Sequence, residues 1–223
     1  MSTVAVIGGG YGGAAVANIF FPYDTLLRRG RVARGRAVSV DPNGVTLASG
    51  ERIDADYLVL ATGSGYAFPA KIDSDLSSEA LERIHAAHAE LADAARVLLV
   101  GAGPVGLELS GEIKAVWPDK HVTIVDPAEQ LVPGFEPEMR EDLHRQLDAL
   151  GVELRLGTAL TEEPPAEPGR AKTFTVATTS GDVSADIWFR CYGVSINGGY
   201  LDVAEYKGED LLTGRFAELF GVA

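Results

Sequence analysis

Two sets of glycines are spaced for one kind of chemistry. Gly8, Gly10 and Gly13 satisfy G-x-G-x-x-G, with Tyr11 and Gly12 between the last two. Gly101, Gly103 and Gly106 satisfy it again, with Pro104 and Val105 in the same places. In such a loop the first glycine allows a tight turn and the second lets the backbone approach a pyrophosphate. The third lets a helix pack closely on a strand, and the helix N-terminus faces the anion. One match is a weak signal. Two matches, each after an apolar run and before a helical pattern, are a much stronger one. A carboxylate completes the second set. Asp126 lies 20 residues after Gly106 and ends the run Val122-Thr123-Ile124-Val125. There it can accept hydrogen bonds from both ribose hydroxyls, and it repels a 2′-phosphate. No arginine follows in Asp126-Pro127-Ala128-Glu129. The second set therefore reads as an NADH site that disfavours NADPH.

The elements that must position these residues form an internal repeat. Val4-Ala5-Val6-Ile7 and Val97-Leu98-Leu99-Val100 are apolar runs that read as buried parallel strands. Each is followed by a glycine loop and a helical pattern. Each copy continues into a small antiparallel meander. In the first copy Asn43-Gly44 and Ser49-Gly50 mark the turns, and in the second Ser180-Gly181 does. Each copy then closes on a strand ending in glycine. Asp56 stands seven residues before Gly63, and Asp186 seven before Gly193.

The copies differ in length. Gly8 to Gly63 is 55 residues and Gly101 to Gly193 is 92, a deficit of 37. Most of it falls just after the first loop. The second copy there holds a strand ending in Asp126 and a helix over Pro137–Leu150, with Met139, Leu143, Leu147 and Leu150 on one face. Gly151 suits the position after its end. The first copy has no second strand ending in an acid. The fold expected is α/β: two Rossmann-like dinucleotide-binding units with small antiparallel meanders, the first unit incomplete.

Composition narrows the partners. The chain has 223 residues and a net charge of −13, which is unfavourable for nucleic acid. Residues 1–100 carry 9 basic and 11 acidic side chains, and residues 101–223 carry 10 and 21. Arg28, Arg29, Arg31, Arg34 and Arg36 form either a solvated face or an anion contact. The one cysteine, Cys191, allows no internal disulfide and no CxxC site. It reads as a small buried residue. His85 and His88 lie three apart on a helix and read as surface or satisfied histidines, so no metal is expected. The start has no basic region leading into an apolar run, and no run of 18 apolar residues exists. These features read as a cytoplasmic protein.

The sequence resembles the flavoproteins with two dinucleotide domains, the pyridine nucleotide-disulfide oxidoreductase superfamily. The resemblance rests on Val-Ile-Gly-Gly-Gly-Tyr-Gly-Gly at 6–13, Leu-Val-Leu-Ala-Thr-Gly-Ser at 58–64 and Val-Gly-Ala-Gly-Pro-Val-Gly-Leu-Glu-Leu at 100–109. Within it, the sequence is most similar to the apoptosis-inducing-factor-like, mitochondrion-associated branch that includes ferroptosis suppressor proteins. Pro118-Asp119-Lys120 and Pro133-Gly134-Phe135 are typical of that branch. The resemblance implies FAD on Gly8, Gly10, Tyr11, Gly12 and Gly13, with Ala61, Thr62 and Gly63 against the flavin. It implies NADH on the second loop and Asp126. Hydride would pass from NADH through flavin to a quinone or similar small acceptor. Glu108 matches an acid close to where nicotinamide meets flavin, and its alternative reading is a first-turn acid favoured by the helix dipole.

The chain departs from the pattern near residues 17–20 and 197–205, where two segments are absent. The division expected is an incomplete FAD-binding unit at 1–76, a connecting helix at 77–96, an NADH-binding unit at 97–193, and a tail at 194–223. The tail would complete the FAD unit or form an interface. Leu211, Leu212, Phe216, Leu219 and Phe220 fall on one helical face there. A packed helix is the main reading and a membrane surface the lesser one, since that stretch has one arginine and no lysine. The rival to the enzyme is an NADH-binding module, or a flavin-deficient deletion variant without turnover. The acceptor and the oligomeric state stay open at this level.

Overall fold

The computed structural model describes residues 4–7, 27–72, 74, 76–197 and 199, with the backbone alone for 4–7 and 196. The first glycine loop (Gly8, Gly10, Tyr11, Gly12 and Gly13), the departure near 17–20, the one near 197–205 apart from 197 and 199, and the helix expected in the tail lie outside the described residues. The chain divides into two compact units. One holds the described residues up to Gly65 together with those from Ser195 on, and the other runs from Tyr66 to Val194.

In the first unit, β1 (Val4–Ile7) lies parallel to the later strand Tyr57–Leu60, in register from Val4 opposite Tyr57 to Ile7 opposite Leu60. Between them runs an antiparallel meander of β2 (Ala37–Asp41), β3 (Gly44–Leu47) and β4 (Arg52–Asp54). Tyr57–Leu60 is β5. Val40, Val45 and Leu47 are buried between the meander and its neighbours, with Ala37, Ile53 and Leu58 packed against them.

The turn between β2 and β3 differs from the expected Asn-Gly. Asp41 pairs with Gly44, so Pro42 and Asn43 make the turn and Gly44 already belongs to the strand. The Asp41 carboxylate accepts a hydrogen bond from the Asn43 N–H at 2.8 Å, which closes the turn. Gly44 is needed for packing: a Cβ there would sit 2.3 Å from the Ile53 carbonyl oxygen. Arg52 reaches back from β4 to Asp41 at 2.6 Å and to Asp54 at 3.2 Å. Its guanidinium holds the Asp41 carboxyl at about 2. The short β6 (Ser64–Gly65) follows β5.

The second unit begins its regular structure with α1 (Ser77–Asp93). It continues through β7 (Arg96–Val100), α2 (Pro104–Val116), β8 (His121–Val125), α3 (Pro137–Leu150) and β9 (Glu153–Arg155). The antiparallel pair β10 (Phe174–Val176) and β11 (Val183–Ala185) comes next, then β12 (Ile187–Arg190). The parallel sheet has the order β12-β7-β8-β9. Back in the first unit, the final strand β13 (Ser195–Ile196) pairs antiparallel with β6.

Both faces of the parallel sheet are covered, which is why its strands read as continuous apolar runs. Val97, Leu99, Val122, Ile124, Ile187 and Phe189 face one core with Ile113, Leu131 and Leu147. Leu98, Val100, Val125 and Trp188 face the other, under Phe174, Val176, Val183 and Ala185 of the β10–β11 hairpin.

The helix over 137–150 ends as expected. Gly151 adopts φ +66 and its N–H returns to the Asp148 carbonyl. Its apolar stripe is only partly used. Leu147 is buried and Leu143 packs on the core, whereas Met139 is 48% exposed and Leu150 38%. The stripe is covered at Leu143 and Leu147 and left open at its two ends, Met139 and Leu150. His88 on α1 packs against Trp117 at 5.1 Å between ring centroids. Lys120 is buried below the same ring, where its ammonium donates to the Ala92 carbonyl at 2.9 Å and also to that of Ala94. This lysine thereby satisfies carbonyls at the end of α1, which has no basic residue in its own last turn.

Asp186 ties the sheet to the hairpin. Its carboxylate accepts from the Arg96 N–H at 3.0 Å, from the Arg96 guanidinium at 2.7 Å and from the Thr173 hydroxyl at 2.9 Å. The Arg96 guanidinium holds this carboxyl well below the usual carboxylate range. A carboxyl whose pKa is lowered on folding adds stability above its unfolded value of about 4 and loses it below. Asp186→Asn should therefore lower unfolding stability at pH 7 by about 1–3 kcal/mol. The difference from wild type should shrink as the pH falls from about 4 towards 2. Denaturant titrations of both proteins across that range check it.

Candidate functional site

The second glycine loop leaves the carboxyl end of β7 in the middle of the parallel sheet. In open α/β sheets that edge is where ligands bind. The three glycines there have three different environments. Gly101 adopts φ +113, and its N–H donates to the Val125 carbonyl at 2.8 Å, tying the turn to β8. A Cβ on Gly101 would lie 2.6 Å from the Cys191 carbonyl oxygen. Gly106 lies in the first turn of α2, where a Cβ would lie 2.0 Å from the Gly101 carbonyl oxygen. No L side chain fits at either place. Gly103, the N-cap of α2, is the opposite case: no atom of the described residues stands within 4 Å of its Cβ position. The loop is thus crowded below Gly101 and Gly106 and open above Gly103.

Pro104 opens the helix at a position where a missing N–H costs nothing. Val105 packs on the core beneath the sheet's helical face. The N–H groups of the first turn of α2 receive no side-chain cap.

Asp126 follows β8 directly and is half-buried. One carboxylate oxygen accepts from the Ala102 N–H at 2.6 Å, inside the glycine loop, and the other from the Ala128 N–H at 2.8 Å. Sequence reasoning missed this clamp on the loop. Each carboxylate oxygen has two acceptor sites. One on each is used, and one on each is left for a ligand hydroxyl. The residues therefore fit a dinucleotide: an open backbone at Gly103, uncapped N–H groups, and a preoriented carboxylate beside them.

Glu108 is exposed on α2. It is the fifth residue of that helix, and the first turn carries no acid, so the first-turn dipole reading of Glu108 does not hold. Cys191 is buried below the loop, and burial pushes its thiol up to about 12. At neutral pH it stays protonated.

In the first unit, Ala61, Thr62 and Gly63 follow β5. The Thr62 hydroxyl donates to the Asn197 carbonyl at 2.8 Å, and the Asn197 amide donates back to the Thr62 carbonyl at 3.0 Å. The Asn197 N–H donates to the Gly63 carbonyl at 3.1 Å. Gly63 adopts φ +63 with nothing within 4 Å of its Cβ position. Asn197 is a second residue whose part was not legible. Its partner lies 135 positions earlier in the chain.

A protein-family model described as pyridine nucleotide-disulphide oxidoreductase matches residues 23–207, starting beyond the first glycine loop. Ferroptosis suppressor protein 1 of Taeniopygia guttata is 27% identical, over 87% of this chain and 63% of its own length. Its counterpart in Homo sapiens is 30% identical, over 74% of this chain and 46% of its own length. The chain spans about half the length of the curated relatives it matches. Among solved structures, the ferredoxin reductase for the CYP199A2 system from Rhodopseudomonas palustris is similar at a TM-score of 0.55 and 26% identity, over 74% of this chain and 42% of that one. The water-forming NADH oxidase from Lactobacillus brevis, solved bound to NADH, shares the fold at a TM-score of 0.54 and 24% identity, over 78% of this chain and 39% of that one.

Gly106 should be far less forgiving of a side chain than Gly103. Gly106→Ala is expected to push α2 off the Gly101 turn and to cost about 1–3 kcal/mol of stability. Thermal unfolding of the full chain checks it.

Proposed function

The chain belongs to the pyridine nucleotide-disulphide oxidoreductase family, and on that premise we propose that it binds NADH at its second glycine loop and acts as an FAD-dependent NADH oxidoreductase. The family uses FAD and NAD(P)H. The observation that supports the NADH site best is the contrast within the loop. Gly101 and Gly106 are glycine because protein atoms leave no room, and Gly103 has room that no atom of the described residues uses. A pyrophosphate over Gly103 and the N-terminus of α2 accounts for that space.

Each residue then has a physical task. The first-turn N–H groups of α2 donate to the pyrophosphate oxygens. Asp126 holds the loop through Ala102 and accepts from the ribose hydroxyls with its remaining lone pairs. Its charge faces a 2′-phosphate unfavourably, so NADH is preferred to NADPH. Ala61, Thr62 and Gly63 form the backbone surface for FAD in the first unit, shaped by the Asn197 hydrogen bonds. FAD, when bound, supplies the hydride-accepting chemistry between NADH and a small acceptor such as a quinone. Glu108 is assigned to the nicotinamide side of the site, on the family pattern. A single cysteine provides no dithiol, so disulfide reduction is not part of the proposal.

A second reading is an NADH-binding module without flavin turnover. It is favoured by the first copy, whose sequence from Gly8 to Gly63 is 37 residues shorter than the second copy's from Gly101 to Gly193. Flavin uptake separates the two: a yellow protein that oxidises NADH supports the oxidoreductase, and a colourless one that binds NADH but takes up no FAD supports the module. The NADH site itself is tested by titration. Wild type should bind NADH more tightly than NADPH. Gly103→Ala should weaken NADH by about tenfold, ~1.4 kcal/mol, by filling the space a phosphate needs. Since no atom of the described residues fills that space, the same variant should unfold within a few degrees of wild type, as ΔΔG below about 0.5 kcal/mol implies. Equal affinity for NADPH would remove the role given to Asp126.

A further inference from the structure

The other side of the glycine loop carries a pair of residues that the NADH reading leaves unused. Strand β12 lies parallel to β7, with Arg190 opposite Val100. Cys191, Tyr192 and Gly193 therefore leave the sheet beside Gly101, Ala102 and Gly103. The backbones are in close contact: the Cys191 N–H donates to the Val100 carbonyl at 2.7 Å, and a Cβ on Gly101 would lie 3.4 Å from the Tyr192 Cβ. Tyr192 is 46% exposed at this edge. The Arg190 guanidinium stands 5.2 Å from its ring centroid. Glu163 holds that guanidinium at 2.7 Å. The Arg190 Nε is buried and has no hydrogen-bond partner among the described residues. Gly193, next in the chain, adopts φ +87 with nothing within 4 Å of its Cβ position.

The strand order gives this pair a place along a bound dinucleotide. Asp126 follows β8, the loop follows β7, and Tyr192 follows β12, so the three points lie in a row across the sheet edge. From β8 to β12 is two strand spacings, about 10 Å. With one ribose at Asp126 and the pyrophosphate over Gly103, the far ring falls on the β12 side, at Tyr192.

We propose that the Tyr192 ring, held against the Arg190 guanidinium, is the stacking surface for the nicotinamide of NADH. The inference rests on the NADH reading of the second loop. Tyr192 contributes an aromatic face whose Cβ sits beside Gly101. Arg190, itself paired with Glu163, is a positioning residue that holds the ring by a cation–π contact.

ADP-ribose tests this, because it keeps the adenosine, pyrophosphate and second ribose and lacks the nicotinamide. The full chain and its variants are titrated with NADH and ADP-ribose. Tyr192→Ala should weaken NADH by about fivefold to tenfold, the worth of an aromatic stack, and leave ADP-ribose unchanged. Tyr192→Phe should bind like wild type. Arg190→Met should weaken NADH by about twofold to threefold, the worth of an exposed cation–π contact, and leave ADP-ribose unchanged. If wild type binds neither NADH nor ADP-ribose, the NADH reading falls and this inference with it. If wild type binds both and Tyr192→Ala weakens both equally or neither, the stacking role is overturned. Unchanged NADH affinity in Arg190→Met overturns the positioning role of Arg190.

Discussion

The second unit depends on one contact, the approach of α2 to the turn at the end of β7. The Gly101 carbonyl oxygen occupies the space where a side chain on Gly106 would begin. Two consequences follow. The helix axis is drawn close to the strand end, so its uncapped first turn begins at the carboxyl edge of the sheet. The turn itself is bent tightly enough to require φ +113 at Gly101 and contact with the Cys191 carbonyl. Asp126 then secures the loop from the neighbouring strand through Ala102. An anion site at a helix end needs donors that are held in place before the ligand arrives, and this arrangement holds them.

The same logic explains which polar groups carry weight in the fold. Asp186 and Lys120 are both drawn into the protein and both have several partners. Asp186 satisfies the start of β7 and a hydroxyl at the start of the hairpin, and Lys120 satisfies the carbonyl end of α1. Each closes hydrogen bonds that a helix or strand terminus would leave open. The surface ion pairs, such as Arg31 with Glu51, are exposed on both sides and contribute little. Charge is abundant in this chain, and only the few charges seated at element ends help to define its shape.

The parallel sheet was legible because both of its faces are buried. A strand covered on both sides shows as an unbroken apolar run, and Val97–Val100 and Val122–Val125 are such runs. The second glycine loop was legible for a related reason: short-range sterics demand glycine wherever backbone meets backbone, and the demand recurs at fixed spacing. The turn at Pro42-Asn43 was misread because Asn-Gly is a strong turn signal on local grounds. Gly44 answers instead to the Ile53 carbonyl on the next strand, a constraint that no local pattern carries. The stripe on α3 was over-read in the same way. Periodicity tells which residues share a face, and the length of sheet beneath the helix decides how many of them are covered.

The sequence by itself determined the element types of the second unit, its glycine loop, and the position of Asp126 at a strand end. These follow from backbone sterics and hydrophobic periodicity, both of which act over a few residues. Only the tertiary structure decided that Asp126 clamps the glycine loop, that Asn197 closes on Thr62, and that Arg190 stands over Tyr192 beside Gly101. The first two join residues 24 and 135 positions apart, and the last depends on two strands meeting in register. A hydrogen bond or ring contact is short-ranged in space and indifferent to separation along the chain, so such pairs exist only once the sheet has set its strand order.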